Sequence, residues 1–502
     1  CIRDSSRNGF KSLLKVLVPG LLACLESPIH DTRVNRFKGT AEGHIRMQNN
    51  HSALTSNDDL RRRDLAVLWH PTTQMKDHEW LPLLPVRKGE GVWLEDMDGK
   101  RYIDAISSWW VNLFGHANPD ISAAVARQAE TLEHVILAGA THEPAVRLAE
   151  KLVGVTQPGL DRVFYADSGS NAVEISMKMS FHYWQNLGRT DRRRFVTLSN
   201  SYHGETIGTL GVGDAGLFKE TYAPLLAEPL IAPSPDCFGV PVDEWDRHAS
   251  EKLDEMRMIL ERHQNEICAV IIEPLVQGAG GMRMYPPSYI SGLRALCDRF
   301  EVHLIADEIA VGFGRTGSMF ACQQADIAPD FMCISKGLTG GYLPMSAVMT
   351  SNAIFDIFYD EYTSLRGFLH SHSFTGNALA CAAALATLEI FEQQPVLENN
   401  RETARLMSES VTHLQDHPHV GEIRQTGMIL AMEMVRDRAT LETYDWKERR
   451  GMIVYQHALE KGVLLRPIGN VVYFMPPYII NEEEIGQLAA VATSGIELAT
   501  SS

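Results

Sequence analysis

Two reactive side chains follow apolar segments that are typical of buried strands. Asp307 ends the run His303–Asp307, and Lys336 comes directly after the run Phe331–Ser335. Because the carboxyl ends of parallel strands meet at the crevice where open α/β sheets bind ligands, we expect this carboxylate and this amine to share a site. Pyridoxal phosphate chemistry requires such a pair, a lysine that forms a Schiff base and a carboxylate that keeps the pyridine nitrogen protonated. An ordinary ion pair is the alternative interpretation of the two residues taken alone.

Two further strand ends supply the remaining contacts that this cofactor needs. The run Arg162–Ala166 leads into a short polar segment, 167–171, at the start of a helix, where free backbone N–H groups favour a phosphate. Tyr202 follows the strand Phe195–Leu198 and offers a ring face to a planar ligand. Taken singly, these are an ordinary helix cap and a loop aromatic. Because four strand ends together meet the needs of one cofactor, we predict a pyridoxal phosphate site.

The elements between these strand ends predict a large α/β domain. Runs rich in β-branched and aromatic residues alternate with helical segments, and several runs are apolar on both faces, as in a parallel sheet covered by helices. The predicted strands are Arg162–Ala166, Phe195–Leu198, Ala269–Glu273, His303–Asp307, Phe331–Ser335, Ser346–Thr350, Met428–Met434 and Val471–Met475. The predicted helices are Ile121–Leu137, Asn171–Leu187, Glu251–His263, Tyr289–Arg299 and Gly376–Gln393.

The same patterns predict the division of the chain into regions. Residues 47–115 contain a hairpin around Asp98-Gly99, a strong turn dipeptide. Residues 116–394 form the large cofactor-binding domain. Residues 395–502, in which helices and strands alternate differently, form a smaller α+β domain together with the N-terminal segment.

Residues 1–46 are expected to be an upstream or non-native extension, because the chain begins with Cys1 and Met47 opens a polar segment. The apolar stretch Leu13–Leu25 follows basic residues, so a targeting segment is the alternative interpretation. That stretch is too short for the roughly 20 residues of a membrane-spanning helix, and a lysine and a proline interrupt it.

Composition argues against several other classes of protein. The 502 residues include 46 Lys plus Arg and 63 Asp plus Glu, so the net charge of −17 gives no overall footprint for nucleic acid. Eight scattered cysteines without a Cys-x-x-Cys pair argue against a disulfide framework or a zinc site. Two matches to GxGxxG argue little for a dinucleotide site: the match at 211–216 follows a poor strand, and residues 308–311 separate the match at 312–317 from the strand His303–Asp307. We expect a cytoplasmic protein without a metal, nucleic-acid or membrane partner.

Six motifs in order carry a resemblance to the class III aminotransferases of pyridoxal phosphate fold type I. The resemblance extends over about residues 66–495 and implies an enzyme with a mostly parallel central sheet flanked by helices. The motifs are FYADSGSNAVEISMKM (164–179), SYHGET (201–206), IIEPLVQGAGGM (271–282), LIADEIAVGFGRTG (304–317), ISKGLTGGYLPMSAV (334–348) and FTGNALACAAAL (374–385).

The resemblance also implies the roles of the cofactor site. Lys336 binds the aldehyde, Asp307 pairs with the pyridinium nitrogen, and Tyr202 packs in front of the ring, so these three are the expected catalytic residues. The expected cofactor contacts within one chain are Gly169, Ser170, Tyr202, Asp307, Ile309 and Lys336.

The family closes its phosphate site with a hydroxyl residue from the partner subunit. The step Gly376-Asn377 fixes the register, and the aligned residue is Ser373, with Thr375 as a nearby alternative. The resemblance therefore implies a homodimer with shared active sites.

Three segments, Trp69–Pro71, Ser107–Trp110 and Arg466–Tyr478, are similar to family members that act in biotin synthesis. This similarity implies S-adenosylmethionine as amino donor and 8-amino-7-oxononanoate as the acceptor that becomes 7,8-diaminononanoate. It implies that Trp109 and Trp110 line the substrate cleft, that Arg466 binds the acceptor carboxylate, and that Tyr473 lies nearby. Aromatic faces attract cations, and arginine pairs bidentately with carboxylates. Core packing of the tryptophans and a structural salt bridge of the arginine are the alternatives.

One departure from the family bears on the donor. Thr72 stands where an aromatic residue usually contacts substrate. Neighbouring groups compensate, or the donor is another amine such as lysine. The remaining alternatives are an ω-aminotransferase that uses a diamine, β-alanine or 4-aminobutyrate, an aminomutase on the same fold, and a non-catalytic paralogue.

Overall fold

The computed structural model describes residues 56–501, so the expectation for residues 1–46 lies outside the described residues. The strands are β1 (Val86–Glu90), β2 (Trp93–Asp96), β3 (Arg101–Asp104), β4 (Arg162–Ala166), β5 (Arg194–Leu198), β6 (Leu230–Ala232), β7 (Ile267–Ile272), β8 (Val276–Gln277), β9 (Arg283–Met284), β10 (His303–Asp307), β11 (Phe331–Ile334), β12 (Ser346–Thr350), β13 (Val420–Thr426), β14 (Ile429–Asp437), β15 (Glu442–Thr443), β16 (Val463–Leu464) and β17 (Val471–Phe474).

The first α-helix precedes β1, the last follows β17, and the others lie between the strands. The α-helices are Asn57–Val67, Pro119–Ala129, Glu143–Val155, Gly169–Asn186, Ile207–Gly211, Gly216–Glu220, Trp245–His263, Pro287–Phe300, Asn352–Asp356, Ala378–Gln393, Val396–Ser410, Arg450–Glu460 and Glu482–Thr500. None of the described helices is both long enough and apolar enough to cross a membrane.

A seven-stranded sheet in the order β4-β12-β11-β10-β7-β5-β6 forms the centre of the molecule. The pairs between β6, β5, β7, β10 and β11 are parallel, and β12 is antiparallel to both of its neighbours. Every residue of β7, β10 and β11 is buried. Strands that are apolar on both faces need cover on both faces, and the helices Gly169–Asn186 and Pro287–Phe300 pack near them. The predicted α/β fold with a mostly parallel central sheet is therefore confirmed.

Smaller sheets connect the early and late parts of the chain. β3 pairs in parallel with β16, with Ile103 opposite Val463, so the residues of the predicted hairpin meet a segment 360 positions later. β14 pairs with both β13 and β17. The division of the chain at residue 394 remains a prediction, but this pairing is the kind of contact that a small domain built from both chain ends needs.

One predicted helix is shorter than expected. The helix predicted over Ile121–Leu137 ends at Ala129. Beyond it, His134 Nε2 lies 2.7 Å from the carbonyl oxygen of Ser373, and the side chain of Leu137 packs against Gly376. These contacts with a distant loop keep the segment from forming a helix. The hydrophobic periodicity of the chain cannot predict them, because it reflects only local sequence.

Candidate active site

The carboxyl ends of the parallel strands open into one cavity of about 170 Å³. The arrangement agrees with the rule that open α/β sheets bind ligands at this edge. The structure brings seven of the predicted site residues together in its lining: Trp110, Gly169, Ser170, Tyr202, Asp307, Ile309 and Lys336.

Lys336 lies two residues beyond β11, in a left-handed backbone conformation with φ of 45°. Its Nζ is 4.4 Å from the centre of the Trp110 ring. Desolvation lowers the pKa of the amine from 10.5 to about 8, although the nearby carboxylates of Asp307 and Glu273 oppose that change. A neutral amine is therefore available near pH 8, and this is the form that acts as a nucleophile or a general base.

Asp307 is oriented by two neighbours. Its Oδ1 accepts a hydrogen bond from the backbone N–H of Ile309 at 3.2 Å, and its Oδ2 lies 2.8 Å from His203 Nδ1. Both side chains are buried, and His203 Nε2 has no hydrogen-bond partner among the described residues. The sequence analysis assigned no role to His203, although its place directly after Tyr202 was a signal of the same kind.

A narrow cradle lies at the start of the helix Gly169–Asn186. A Cβ atom at Gly204 would be 2.1 Å from Ser170 Oγ, and one at Gly169 would be 3.0 Å from a methyl carbon of Ile309. Only residues without a side chain leave this space open. Because a helix N-terminus presents free N–H groups and the positive end of its dipole, the cradle fits a phosphate group.

Glu273, immediately after β7, is a second residue that the sequence analysis missed. Its two carboxylate oxygens accept hydrogen bonds from the backbone N–H groups of Tyr202 and Gly278, each at 2.9 Å. Burial raises the pKa of this carboxyl to about 7, and the neighbouring His203 works against that rise. Its position at the end of a predicted parallel strand is the same signal that identified Asp307.

The described residues of this cavity fit pyridoxal phosphate. The glycine cradle suits the phosphate, the amine of Lys336 suits the aldehyde, and the buried carboxylate of Asp307 suits the ring nitrogen. Tyr202 and Ile309 both line the cavity, as a pair that flanks a planar ring must do.

The paired tryptophans lie in a left-handed turn. Residues 107–110 have φ values of 51°, 47°, 73° and 73°. This conformation costs roughly 1–2 kcal/mol for each residue that is not glycine, so the surrounding structure must support it. Trp110 is buried and its Nε1 donates to the hydroxyl of Tyr473 at 3.0 Å, whereas Trp109 is 44% exposed.

Among the described residues, Arg466 lines a second cavity of about 290 Å³, together with Thr72 and Arg449. Its guanidinium carbon is 5.0 Å from the centre of the Trp109 ring. Thr72 has a φ of 49°, which is unusual for a β-branched residue. The predicted substrate residues thus divide into two pairs, Trp110 with Tyr473 and Trp109 with Arg466.

Ser373 is exposed and, of the described residues, is not one that lines the first cavity. The nearby hydroxyl of Thr375 donates to the carbonyl oxygen of His372 at 2.8 Å and accepts from its N–H at 3.3 Å. Thr375 is therefore engaged in its own turn.

Known proteins resemble the chain over most of its length. The sequence profile of the family described as Aminotransferase class-III matches residues 74–493. The chain is 45% identical over 428 residues to the adenosylmethionine-8-amino-7-oxononanoate aminotransferase of Geobacter sulfurreducens, an alignment that covers 85% of this chain and 94% of that one.

Two solved structures share the fold. The adenosylmethionine-8-amino-7-oxononanoate aminotransferase of Methanocaldococcus jannaschii has a TM-score of 0.84 and 39% identity, covering 88% of this chain and 99% of that one. The omega transaminase of Pseudomonas jessenii in complex with PMP has a TM-score of 0.83 and 31% identity, covering 88% and 98%.

These matches confirm the predicted family, its fold type and pyridoxal phosphate as its cofactor. They also agree with the site, because the cavity described above holds the groups that this cofactor needs. The chain belongs to the class III aminotransferases, a family of pyridoxal-phosphate-dependent enzymes that transfer amino groups.

Proposed function

We propose that this enzyme transfers an amino group from S-adenosylmethionine to 8-amino-7-oxononanoate and so forms 7,8-diaminononanoate, a step of biotin synthesis. The observation that carries the proposal is the pairing of Trp110 with Tyr473 and of Trp109 with Arg466. Aromatic faces suit a donor that contains an adenine ring and a sulfonium. An arginine suits a long apolar acid that is anchored by its carboxylate. The names of the Geobacter and Methanocaldococcus relatives support the same substrates.

The bound cofactor supplies an aldehyde that condenses with amines and a ring that accepts electrons from the adjacent carbon. Lys336 would hold that aldehyde, and its amine would move the proton of the amine-bearing donor carbon. Asp307 would keep the ring nitrogen protonated, and His203 keeps Asp307 in place. Gly169 and Ser170 would bind the phosphate at the helix N-terminus.

Further residues contact the cofactor ring and the acceptor. Tyr202 and Ile309 confine the ring from its two faces, and both line the first cavity. The acceptor carries its carboxylate at the end of the chain far from the reacting carbonyl, so a contact of Arg466 with that carboxylate orients the chain of the acceptor relative to Lys336.

We also propose that the enzyme is a homodimer in which Ser373 completes the phosphate site of the partner subunit. The support is that the Ser373 side chain is exposed while the hydroxyl of Thr375 is engaged locally. Within the described residues the cysteines are free and buried, which supports a reducing, cytoplasmic location. In this proposal residues 116–394 form the large domain, and residues 47–115 and 395–502 form the small one.

The competing proposal is an ω-aminotransferase with a different amino donor. Its specific support is Thr72, which gives the second cavity a hydroxyl where the family usually has an aromatic ring. The similarity to a structure named as an omega transaminase of Pseudomonas jessenii supports this alternative.

Separate half-reactions distinguish the two proposals. The purified holoenzyme is mixed with S-adenosylmethionine, lysine or β-alanine in turn, and the visible absorption of the cofactor is followed. Loss of absorption with S-adenosylmethionine alone, reversed by 8-amino-7-oxononanoate, is the expected result. Loss only with another amine would keep the fold and the role of Lys336 but would reject the named donor.

A further inference from the structure

Asp104 is fully buried at the end of β3 and is bonded to the left-handed turn at residues 107–110. Its Oδ2 accepts a hydrogen bond from Ser108 Oγ at 2.7 Å, and its Oδ1 accepts from the backbone N–H of Ile106 at 3.3 Å. His116 Nε2 lies 3.0 Å from the same Oδ2. One buried carboxylate thus ties together the entry to the turn, a residue within it and the segment that follows it.

The other side of the turn is fixed to the segment after β17. Ser107 Oγ donates to the carbonyl oxygen of Met475 at 2.7 Å, and the N–H of Met475 donates to the carbonyl oxygen of Ala105 at 2.9 Å. Because Tyr473 lies in β17, which leads directly into this segment, the turn and the hydroxyl that bonds the Trp110 indole are fixed to the same part of the chain.

The hand of the turn decides where the two indoles lie. The Trp110 ring packs so tightly on the backbone that a Cβ atom at Gly278 would be 3.1 Å from it, while Trp109 lies over Arg466. Side-chain directions follow the backbone φ and ψ, so a right-handed turn of the same residues would send both rings elsewhere. Left-handed residues other than glycine persist only where their surroundings over-determine them.

We propose that Asp104 is a positioning residue: acting through Ser108, it holds residues 107–110 in the left-handed turn and so sets the places of Trp109 and Trp110 in the substrate cleft. The inference rests on the proposed function, in which these tryptophans contact substrate. Asp104 touches neither the cavity lining nor the reacting groups, so its loss weakens substrate binding more than it slows the chemistry.

Two variants of Ser108 separate the hydrogen bond from the backbone strain. Ser108→Ala removes the hydroxyl and keeps the cost of the positive φ, whereas Ser108→Gly removes the hydroxyl and that cost together. Ser108 is exposed, so neither change disturbs the core. Ser288→Ala is the matched control, because it removes a serine–aspartate hydrogen bond of 2.6 Å, to Asp246, that is exposed and outside the site.

The expected results concern KM and the tryptophan signal in near-ultraviolet circular dichroism. Ser108→Ala raises the KM for the acceptor about 10-fold with kcat within about twofold, and Ser108→Gly recovers most of the loss. Asp104→Asn raises KM at least as much, and adding Ser108→Ala to it has little further effect, because both changes break one interaction. The variants Trp109→Phe and Trp110→Phe identify the part of the circular dichroism signal that comes from these two rings. Ser108→Ala and Asp104→Asn are expected to lose that part of the signal, and Ser288→Ala is expected to retain it.

Wild-type KM and wild-type circular dichroism in Ser108→Ala and Asp104→Asn would overturn the proposal. Equal KM increases in Ser108→Ala and Ser108→Gly would overturn it as well, because they would mean that the hydroxyl contacts substrate itself. The circular dichroism uses no substrate. A wild-type enzyme that does not accept 8-amino-7-oxononanoate would therefore contradict the proposed function alone, and the spectra would still decide the role of Asp104.

Discussion

His203 Nδ1 lies 2.8 Å from Asp307 Oδ2, and both side chains are buried at the edge of the same cavity. The other carboxylate oxygen is bonded to the backbone N–H of Ile309. The carboxylate is thus oriented by its own chain. A group that is already oriented needs no reorganisation when charge develops near it, which is the main source of electrostatic catalysis in enzymes.

The contact between His203 and Asp307 predicts that substitution of Asp307 lowers the rate more than substitution of His203. Asp307→Asn lowers kcat at least about 10²-fold, because an amide does not hold a proton on the ring nitrogen. His203→Gln has a smaller effect, because the carboxylate remains. The measurement is the single-turnover rate of the donor half-reaction, with retained cofactor absorption as the control for binding. Near-normal turnover of Asp307→Asn would contradict the assigned role.

Removal of the lysine amine tests the covalent step. Lys336→Ala abolishes turnover and the visible absorption of the covalently held cofactor, because no other amine of the described residues lines the cavity. Lys252→Ala, which breaks a surface ion pair with Glu255, is the control and keeps both. The readouts are the absorption spectrum and a steady-state assay, and persistence of the visible band in Lys336→Ala would refute the assignment.

The lowered pKa of Lys336 predicts how cofactor loading depends on pH. Only the neutral amine attacks the aldehyde, and a pKa of about 8 means that its fraction rises with pH and approaches its limit above pH 8. The rate at which cofactor-free protein takes up pyridoxal phosphate therefore increases through a midpoint near pH 8. Stopped-flow absorption measures it. A midpoint near the ordinary lysine value of 10.5 would show that the amine is not desolvated.

Arg466 is expected to act on binding of the acceptor. Arg466→Ala raises the KM for 8-amino-7-oxononanoate by about 10- to 100-fold and changes kcat little, because hydrogen bonds to charged groups contribute about 1.5–3 kcal/mol. Arg449→Ala is the control, since Arg449 lines the same cavity but its guanidinium is bound to Asp77. Steady-state kinetics at varied acceptor concentration measure the KM. An unchanged KM in Arg466→Ala would mean that the acceptor carboxylate binds elsewhere.

A single methyl group tests the phosphate cradle. Gly204→Ala places a Cβ atom 2.1 Å from Ser170 Oγ and is expected to weaken cofactor binding at least about 10-fold. Gly188→Ala is the matched control, because Gly188 also has a positive φ, of 77°, but has nothing within 4 Å of its Cβ position. The control loses about 1–2 kcal/mol of folding stability and retains cofactor affinity. Equilibrium titration with pyridoxal phosphate measures the affinity. Equal affinities of Gly204→Ala and the wild-type protein would mean that the cradle does not hold the phosphate.

Site residues at the ends of strands were predictable because the signal for them is local in the chain. Each apolar run of the central sheet is followed within two or three residues by a polar or small group, and a parallel sheet places all such groups at one edge. For this reason Lys336 and Asp307 were predictable as neighbours, although they come from separate strands. Glu273 carries the same signal after β7, but the sequence analysis did not use it.

The predictions were wrong or incomplete where contacts between distant segments determine the structure. The helix predicted to Leu137 ends at Ala129, since contacts with the loop at residues 373–376 replace its last turns. Arg466 was expected beside the acceptor, but only the folded chain shows that it lines a second cavity with Thr72.

The sequence by itself determined the alternation of strands and helices, the family, the cofactor and most of the residues around it. These features follow from hydrophobic periodicity and from residue types at strand ends, which are local properties of the chain. Tertiary structure alone decided the 2.8 Å contact between His203 and Asp307 and the left-handed turn that carries Trp109 and Trp110. Both depend on hydrogen bonds between segments that meet only after folding, and no periodicity encodes the hand of a turn.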